Sequence, residues 1–270
     1  MKLSNKKSIV LLLLLSLITG VLSGCTSKTS AEIPVEGSNA EKTTYIVGLD
    51  DTFAPMGFRD EKGNLVGFDV DLASEVAKRW GVTFEFQPIE WTMKENELNA
   101  GNIDFIWNGY SITDERKEKV NFSDSYMEIS QLLITLIDSP INSIADMKDK
   151  VVSTQGESSA LEAAYSQPGL VESFKNGELI EFPTYNEVFN DLEAGRSEVV
   201  IADEVLARYY MKNKGAEKYK ILEEDLGPEE FGVGLRKDDI ELCEKLNATF
   251  SEIKKDGTFD EIYSKWFSEN

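Results

Sequence analysis

Gly101-Asn102-Ile103-Asp104-Phe105-Ile106-Trp107-Asn108-Gly109-Tyr110-Ser111-Ile112-Thr113-Asp114-Glu115-Arg116 is the stretch on which the fold turns. Ile103 to Trp107 is too apolar to leave a face in water and predicts a strand covered on both sides. Just upstream, residues 94–100 predict a short helix closed by Gly101. Before that, residues 82–86 alternate like a strand. Residues 70–80 place Leu72, Ala73, Val76, Ala77 and Trp80 at helical spacing, with Asp69 or Asp71 as the cap. Residues 43–48, a β-branched run ended by glycine, predict the first strand. Downstream, strands are expected at 131–137, 151–154 and 198–202, and helices at 159–165 and 185–194. Residues 239–267 read as a helix interrupted near Gly257. Alternating strands and helices make this an α/β protein with mainly parallel sheets. The roughly 228 residues after the N-terminal segments exceed one average domain, so two lobes are expected. No internal repeat is visible.

The first 24 residues have a different purpose. Lys2, Lys6 and Lys7 precede a nearly pure apolar stretch over 9–22, which fits a secretory signal and is short for a membrane span. It runs into Leu22-Ser23-Gly24-Cys25, where small residues admit a peptidase and the cysteine offers a thiol for acylation. This resembles the lipobox of bacterial lipoproteins, with Cys25 as the lipid attachment site and 1–24 as the signal peptide. The alternative is an uncleaved anchor with an incidental cysteine. Either reading puts the bulk of the chain outside the cytoplasm, tethered to the membrane. Residues 25–43 have almost no large apolar side chains and read as a flexible tether reaching some 20–25 Å on average.

The chain carries a net charge of -21, and removal of 1–24 deletes three lysines and no acids. So acidic a surface argues against nucleic-acid and anionic-lipid partners and for a small-molecule ligand. There is no histidine, which removes the commonest general base and the usual zinc ligand. No metal or cofactor is implied. Of the two cysteines, Cys243 sits among Leu242, Leu246 and Phe250 at helical spacing and reads as a small buried hydrophobe.

Several motifs recur in order. They are Val47 to Pro55 (VGLDDTFAP), Gly63 to Leu72 (GNLVGFDVDL), Gly101 to Asp104, Asn108 to Arg116 (NGYSITDER) and Phe122-Ser123-Asp124. Gln155-Gly156-Glu157-Ser158-Ser159 and Gly195 to Asp203 (GRSEVVIAD) complete the set. Together, over essentially 44–268, they closely resemble the polar-amino-acid-binding proteins of ABC importers. The resemblance implies a two-lobe, type II periplasmic-binding-protein-like fold with two hinge strands. Lobe 1 would comprise 44–130 and 232–270, and lobe 2 would comprise 131–231. It also implies a monomer that captures a free amino acid and delivers it to permease subunits. No catalysis is expected; dehydratase-like relatives and sensor domains of the same fold are the alternatives.

A free amino acid carries a carboxylate and an ammonium, and burying both requires a cation with donors and an anion with acceptors. Arg116 suits the carboxylate, because its planar fork can hold it bidentately. Asp203, after an apolar strand, is the counterpart for the ammonium. Taken singly, Arg116 reads as a surface arginine and Asp203 as a helix cap. By resemblance, the N–H of Ser111 and the Ser158/Ser159 turn also face the carboxylate, and Gly109 offers its carbonyl to the ammonium. Phe53 and Trp91 match positions that border the ligand side chain; core packing is their plainer explanation. Asp50 and Asn108 match positions that reach a polar side-chain end. Relatives usually carry Gly-Ser-Ser or Gly-Ser-Thr where this chain has Glu157-Ser158-Ser159. Either the turn shifts by one residue, or Glu157 adopts it with its side chain pointing out.

Overall fold

Residues 42–268 are described by a computed structural model; the expected signal peptide, Cys25 and tether residues up to 41 lie outside the described residues. The chain runs through β1 (Thr44–Leu49), β2 (Thr52–Phe53), β3 (Gly57–Arg59), β4 (Leu65–Val66) and α1 (Phe68–Trp80). It continues through β5 (Thr83–Pro88), α2 (Lys94–Asn99), β6 (Phe105–Ser111), α3 (Asp114–Lys119) and β7 (Asn121–Phe122). Next come β8 (Met127–Leu136), β9 (Val152–Gln155), α4 (Ser159–Ser166), α5 (Leu170–Ser173) and β10 (Leu179–Phe182). It ends with α6 (Tyr185–Glu193), β11 (Val199–Asp203), α7 (Glu204–Lys214), β12 (Tyr219–Leu235), α8 (Ile240–Lys255) and α9 (Thr258–Phe267).

One mixed sheet in the order β10-β9-β11-β8-β12-β6-β1-β5 organises these elements. The expectation of mainly parallel pairing holds on the two flanks, where β1 pairs with β5 and β6, and β9 with β10 and β11. At the centre it fails. There β8 and β12 run antiparallel to each other, β8 antiparallel to β11, and β12 antiparallel to β6. The reason is topological: β8 leaves one flank for the other and β12 returns, so both must reverse direction against their neighbours.

Helices cover the flanks because their apolar stripes need a partner. α1 buries Phe68, Val70, Leu72, Ala73, Val76 and Ala77, and each large side chain contributes roughly 1.5–3 kcal/mol. Its start differs from expectation. The cap is Gly67, whose φ of 149 would bring a Cβ to 2.1 Å from the Met56 carbonyl oxygen, so only glycine fits. Asp69 and Asp71 lie in the first turn, not at the cap, and Asp69 is buried. A cluster around Leu133, Val152, Ala160, Val171, Phe174 and Val199 fills one flank. Another around Trp91, Leu98, Ile103, Ile106 and Tyr110 fills part of the other. Cys243 is buried on α8, as a small hydrophobe should be. Among the described residues no helix is long and apolar enough to cross a membrane.

Candidate functional site

Carboxyl ends of strands from both flanks converge on one buried polar cluster. β1 ends just before Asp50, β6 contributes Asn108, Gly109 and Ser111, β9 ends at Gln155, and β11 ends at Asp203. Such ends are where α/β sheets hold ligands, since helix N-termini and loops gather there.

Arg116 is 2 % exposed and stacks its guanidinium 4.8 Å from the Tyr110 ring centroid. Its position is set by α3, which Thr113 caps by accepting the Arg116 N–H at 3.2 Å. Nη1 donates to the Ser111 carbonyl at 3.2 Å and Nη2 to the Glu157 carbonyl at 3.1 Å. Nε is 2.9 Å from Glu162 Oε1, yet its N–H is misdirected and makes no hydrogen bond among the described residues. The contact is an ion pair only. Donors on the fork therefore remain for an anion. The surface-arginine alternative is excluded by this burial.

Glu157 resolves the turn. Its φ is 55, in the left-handed region, and its side chain is exposed, so the chain keeps the register and points the carboxylate out. Ser158 then caps α4, accepting the Leu161 N–H at 3.2 Å and donating to the Gln155 carbonyl at 2.7 Å. Ser159 Oγ lies 2.9 Å from Ser111 Oγ, joining the two flanks.

Asp203 is 3 % exposed and does not act as a side-chain cap of α7, against its plainer reading. Burial, and secondarily the nearby Glu229 carboxylate, push its carboxyl up to about 7; Gln131 and Arg116 pull it back. Asp203 Oδ1 accepts from Gln131 Nε2 at 2.8 Å, and the same nitrogen reaches Glu229 Oε2 at 3.0 Å. Asp50, 7 % exposed, accepts from Thr52 N at 2.9 Å, Thr52 Oγ1 at 2.7 Å and Gln155 Nε2 at 2.8 Å. Burial raises its carboxyl above the ordinary value. Asn108 Oδ1 accepts from Asp50 N at 3.1 Å, while its buried Nδ2 has no partner among the described residues.

Gly109 has φ 57, and its N–H donates to Asp69 Oδ2 at 2.7 Å; a Cβ there would meet Phe53 at 2.8 Å. Phe53 is buried against Tyr185, ring centroids 5.8 Å apart. Trp91 is buried edge-on to Tyr110 at 5.8 Å, with the Lys94 ammonium 5.1 Å from its ring. The ten residues singled out from the sequence thus form one connected neighbourhood. Cys25 lies outside the described residues.

Sequence reading missed five members. Gln131, Gln155, Glu162, Glu229 and Lys94 all enter the cluster. Lys94 is 1 % exposed, donates to the Glu157 carbonyl at 3.0 Å, and is pushed down to about 8, chiefly by burial and then by Arg116. A lysine in Lys-Glu-Asn-Glu looks solvated, so nothing in the sequence flags it. Gln155 stood inside a quoted motif, and that placement was the available signal.

A sequence profile of the bacterial extracellular solute-binding proteins, family 3, matches residues 45–269. The lysine/arginine/ornithine-binding periplasmic protein of Escherichia coli (strain K12) is 32% identical over 273 residues, covering 98% of each chain. A histidine-bound substrate-binding protein of an ABC uptake transporter from Streptococcus pneumoniae superposes with a TM-score of 0.82 at 43% identity. That match covers 84% of this chain and 93% of the other. An ancestral arginine-binding protein bound to glutamine gives 0.78 at 38% identity, covering 84% and 99%. These neighbours share the two-lobe type II architecture.

Proposed function

The chain belongs to the bacterial extracellular solute-binding proteins of family 3, and we propose that it captures a free polar amino acid for an ABC importer. One observation carries the reading: Arg116 and Asp203, a buried cation and a buried acid that a neighbouring cation would ionise, share one polar cluster without touching each other. A zwitterion fits that arrangement, with its carboxylate on Arg116 and its ammonium on Asp203. The N–H groups of Ser111 and Ser159 would assist the carboxylate, at the N-terminus of α4 in the second case. Ser158 contributes by holding the turn, since its hydroxyl is used in capping. The Gly109 carbonyl would join Asp203, Phe53 and Trp91 would border the side chain, and Asp50 with Asn108 would meet its polar end.

In this reading lobe 1 comprises 44–130 and 232–270, and lobe 2 comprises 131–231, with β8 and β12 as the crossings. Arg116 lies in the first and Asp203 in the second. A ligand that pairs with both stabilises the closed form, the form a permease should accept. Cys25 would carry the lipid that keeps the protein at the outer face of the cell membrane, and Cys25→Ser should move it from the membrane fraction to the soluble one.

The relatives bind lysine, arginine and ornithine, histidine, or glutamine. Acid-rich surroundings with Asp50 at the side-chain end favour a cationic ligand here. Thermal-shift screening of the twenty amino acids plus cystine tests the proposal, because a bound ligand raises the melting temperature by mass action. Stabilisation by L-arginine, L-lysine or L-histidine is expected. No shift with any member would refute amino-acid capture. A ligand consumed during incubation, instead of bound stoichiometrically, would point to the catalytic relatives. One structural neighbour at 33% identity is an ancestral amino-acid-binding precursor of cyclohexadienyl dehydratase.

A further inference from the structure

Gln131 is fully buried where β8, β11 and β12 meet, opposite Asp203 in the β8–β11 register. Its Nε2 lies 2.8 Å from Asp203 Oδ1, 3.0 Å from Glu229 Oε2 and 3.1 Å from Ser159 Oγ. An amide nitrogen has two N–H donors, so three acceptors compete for it. Oε1 of the same amide is equally buried and has no donor among the described residues. Two carboxylates therefore face one neutral amide, and a third acceptor beside them is unsatisfied.

What this place lacks is positive charge and N–H groups. The charged groups facing Asp203 are Glu229 from β12 and Arg116 from α3, with the Tyr185 hydroxyl approaching from α6. Arg116 donates elsewhere, to the carbonyls of Ser111 and Glu157. A primary ammonium supplies one charge and three donors, enough for Asp203, for Glu229 and, through a shared third donor, for Gln131 Oε1 and the Gly109 carbonyl. The β8–β12 ladder slips between Asp225 and Pro228, and Glu229 follows that slip at once, paired with Ile129.

We propose that Glu229 is a second carboxylate of the ammonium subsite, acting with Asp203 and the Gln131 carbonyl, and that it makes the site selective for an unmodified α-ammonium. This rests on the amino-acid reading above. Keto acids, hydroxy acids and N-acyl amino acids leave the buried Asp203 and the half-buried Glu229 without a cation between them, and such unpaired charge is unfavourable. Glu229 lies on a crossing strand, so a ligand gripping it also touches an element that must bend on closure.

The test is calorimetry on the full folded domain with Glu229→Gln, Glu229→Asp and Asp203→Asn. Probes are L-arginine and L-histidine, each against its analogue without the amino group, 5-guanidinopentanoate and 3-(imidazol-4-yl)propanoate. Glu229→Gln should weaken the better-bound amino acid about tenfold while leaving its des-amino analogue unchanged or tighter. Glu229→Asp, which keeps the charge, should recover part of the loss. Equal losses for amino acid and analogue, or less than a twofold loss for the amino acid, would overturn the role of Glu229. If Asp203→Asn still weakens binding, the amino-acid site stands and only this inference falls. If neither amino acid binds to the unsubstituted protein, the amino acid that gives the largest thermal shift and its des-amino analogue take their place, and both readings fall together only if no amino acid binds.

Discussion

Gln155 donates its amide to Asp50 at 2.8 Å, and the two residues stand at the ends of β9 and β1 on opposite flanks of the sheet. With Thr52 taking Oδ1, the Asp50 carboxylate is fixed in orientation but not saturated, since a carboxylate offers about four acceptor sites. A charge so held can discriminate between ligand side chains. Asp50→Asn keeps the shape and removes the charge, so L-arginine and L-lysine should lose at least about tenfold in affinity. L-glutamine should stay within about threefold. Equal losses for all three in competition assays would make Asp50 a structural residue.

Arg116 presents a different case, because its guanidinium is held within its own lobe by the Ser111 carbonyl and the Tyr110 ring, while its contacts to Glu157 and Glu162 come from the other lobe in the assignment above. Its geometry is therefore preorganised, and little side-chain entropy is lost on binding. Arg116→Ala should leave a ligand carboxylate unpaired in a buried place, costing about 3–5 kcal/mol, or roughly a hundred- to several-thousand-fold in affinity. Calorimetry showing less than a fivefold loss would refute the assignment.

Asp69 offers a stability prediction. Burial pushes its carboxyl from 3.8 up to about 7, against hydrogen bonds from Gly109 N and the Tyr126 hydroxyl. A raised folded value means that the folded protein holds the proton where the unfolded chain has released it. Stability then falls as pH rises from about 4, and the full cost is present above about 7. Asp69→Asn removes this titration while keeping an acceptor for Gly109. Between pH 5 and 7 the unsubstituted protein should lose about 2–3 kcal/mol more than the variant in urea unfolding. Parallel pH profiles would contradict the buried-acid account.

How far the sequence reached can be judged from single strands. The apolar run over 103–107 predicts a strand that in fact runs from Phe105 to Ser111. Asn108, Gly109 and Ser111 have turn-like composition, but Ser111 and Tyr110 pair with Phe231 and Gly232 of β12, and tertiary pairing overrides local preference. Of strand β12 the sequence marks only the lobe boundary at 231–232, because Gly227, Pro228 and five acids between Glu223 and Glu230 mask the rest. The helix over Glu204–Lys214 follows directly on the strand that ends at Asp203, with no turn residue to mark its start. Arg116 and Asp203 were legible because spaced motifs surround them. Lys94 and Glu229 were not, because their significance comes from partners 63 and 98 positions away.

Lys94 and Arg116 converge on the Glu157 carbonyl from one lobe while Glu157 belongs to the other, in the assignment above. The carbonyl is presented by a left-handed residue, a backbone choice costing about 1–2 kcal/mol for a side chain with a Cβ. Glu157→Gly should relieve that cost and keep the carbonyl, so the melting temperature should hold or rise and affinity should stay within about threefold. Lys94→Met separates the two contributions in the opposite direction. It removes an ammonium that burial already disfavours, so the ligand-free protein should be no less stable. Closure loses one charge-assisted hydrogen bond, worth about 1.5–3 kcal/mol at most, and affinity should drop about tenfold. If Lys94→Met lowers the ligand-free melting temperature and leaves affinity intact, the lysine serves folding alone and the paired grip on Glu157 has no part in closure.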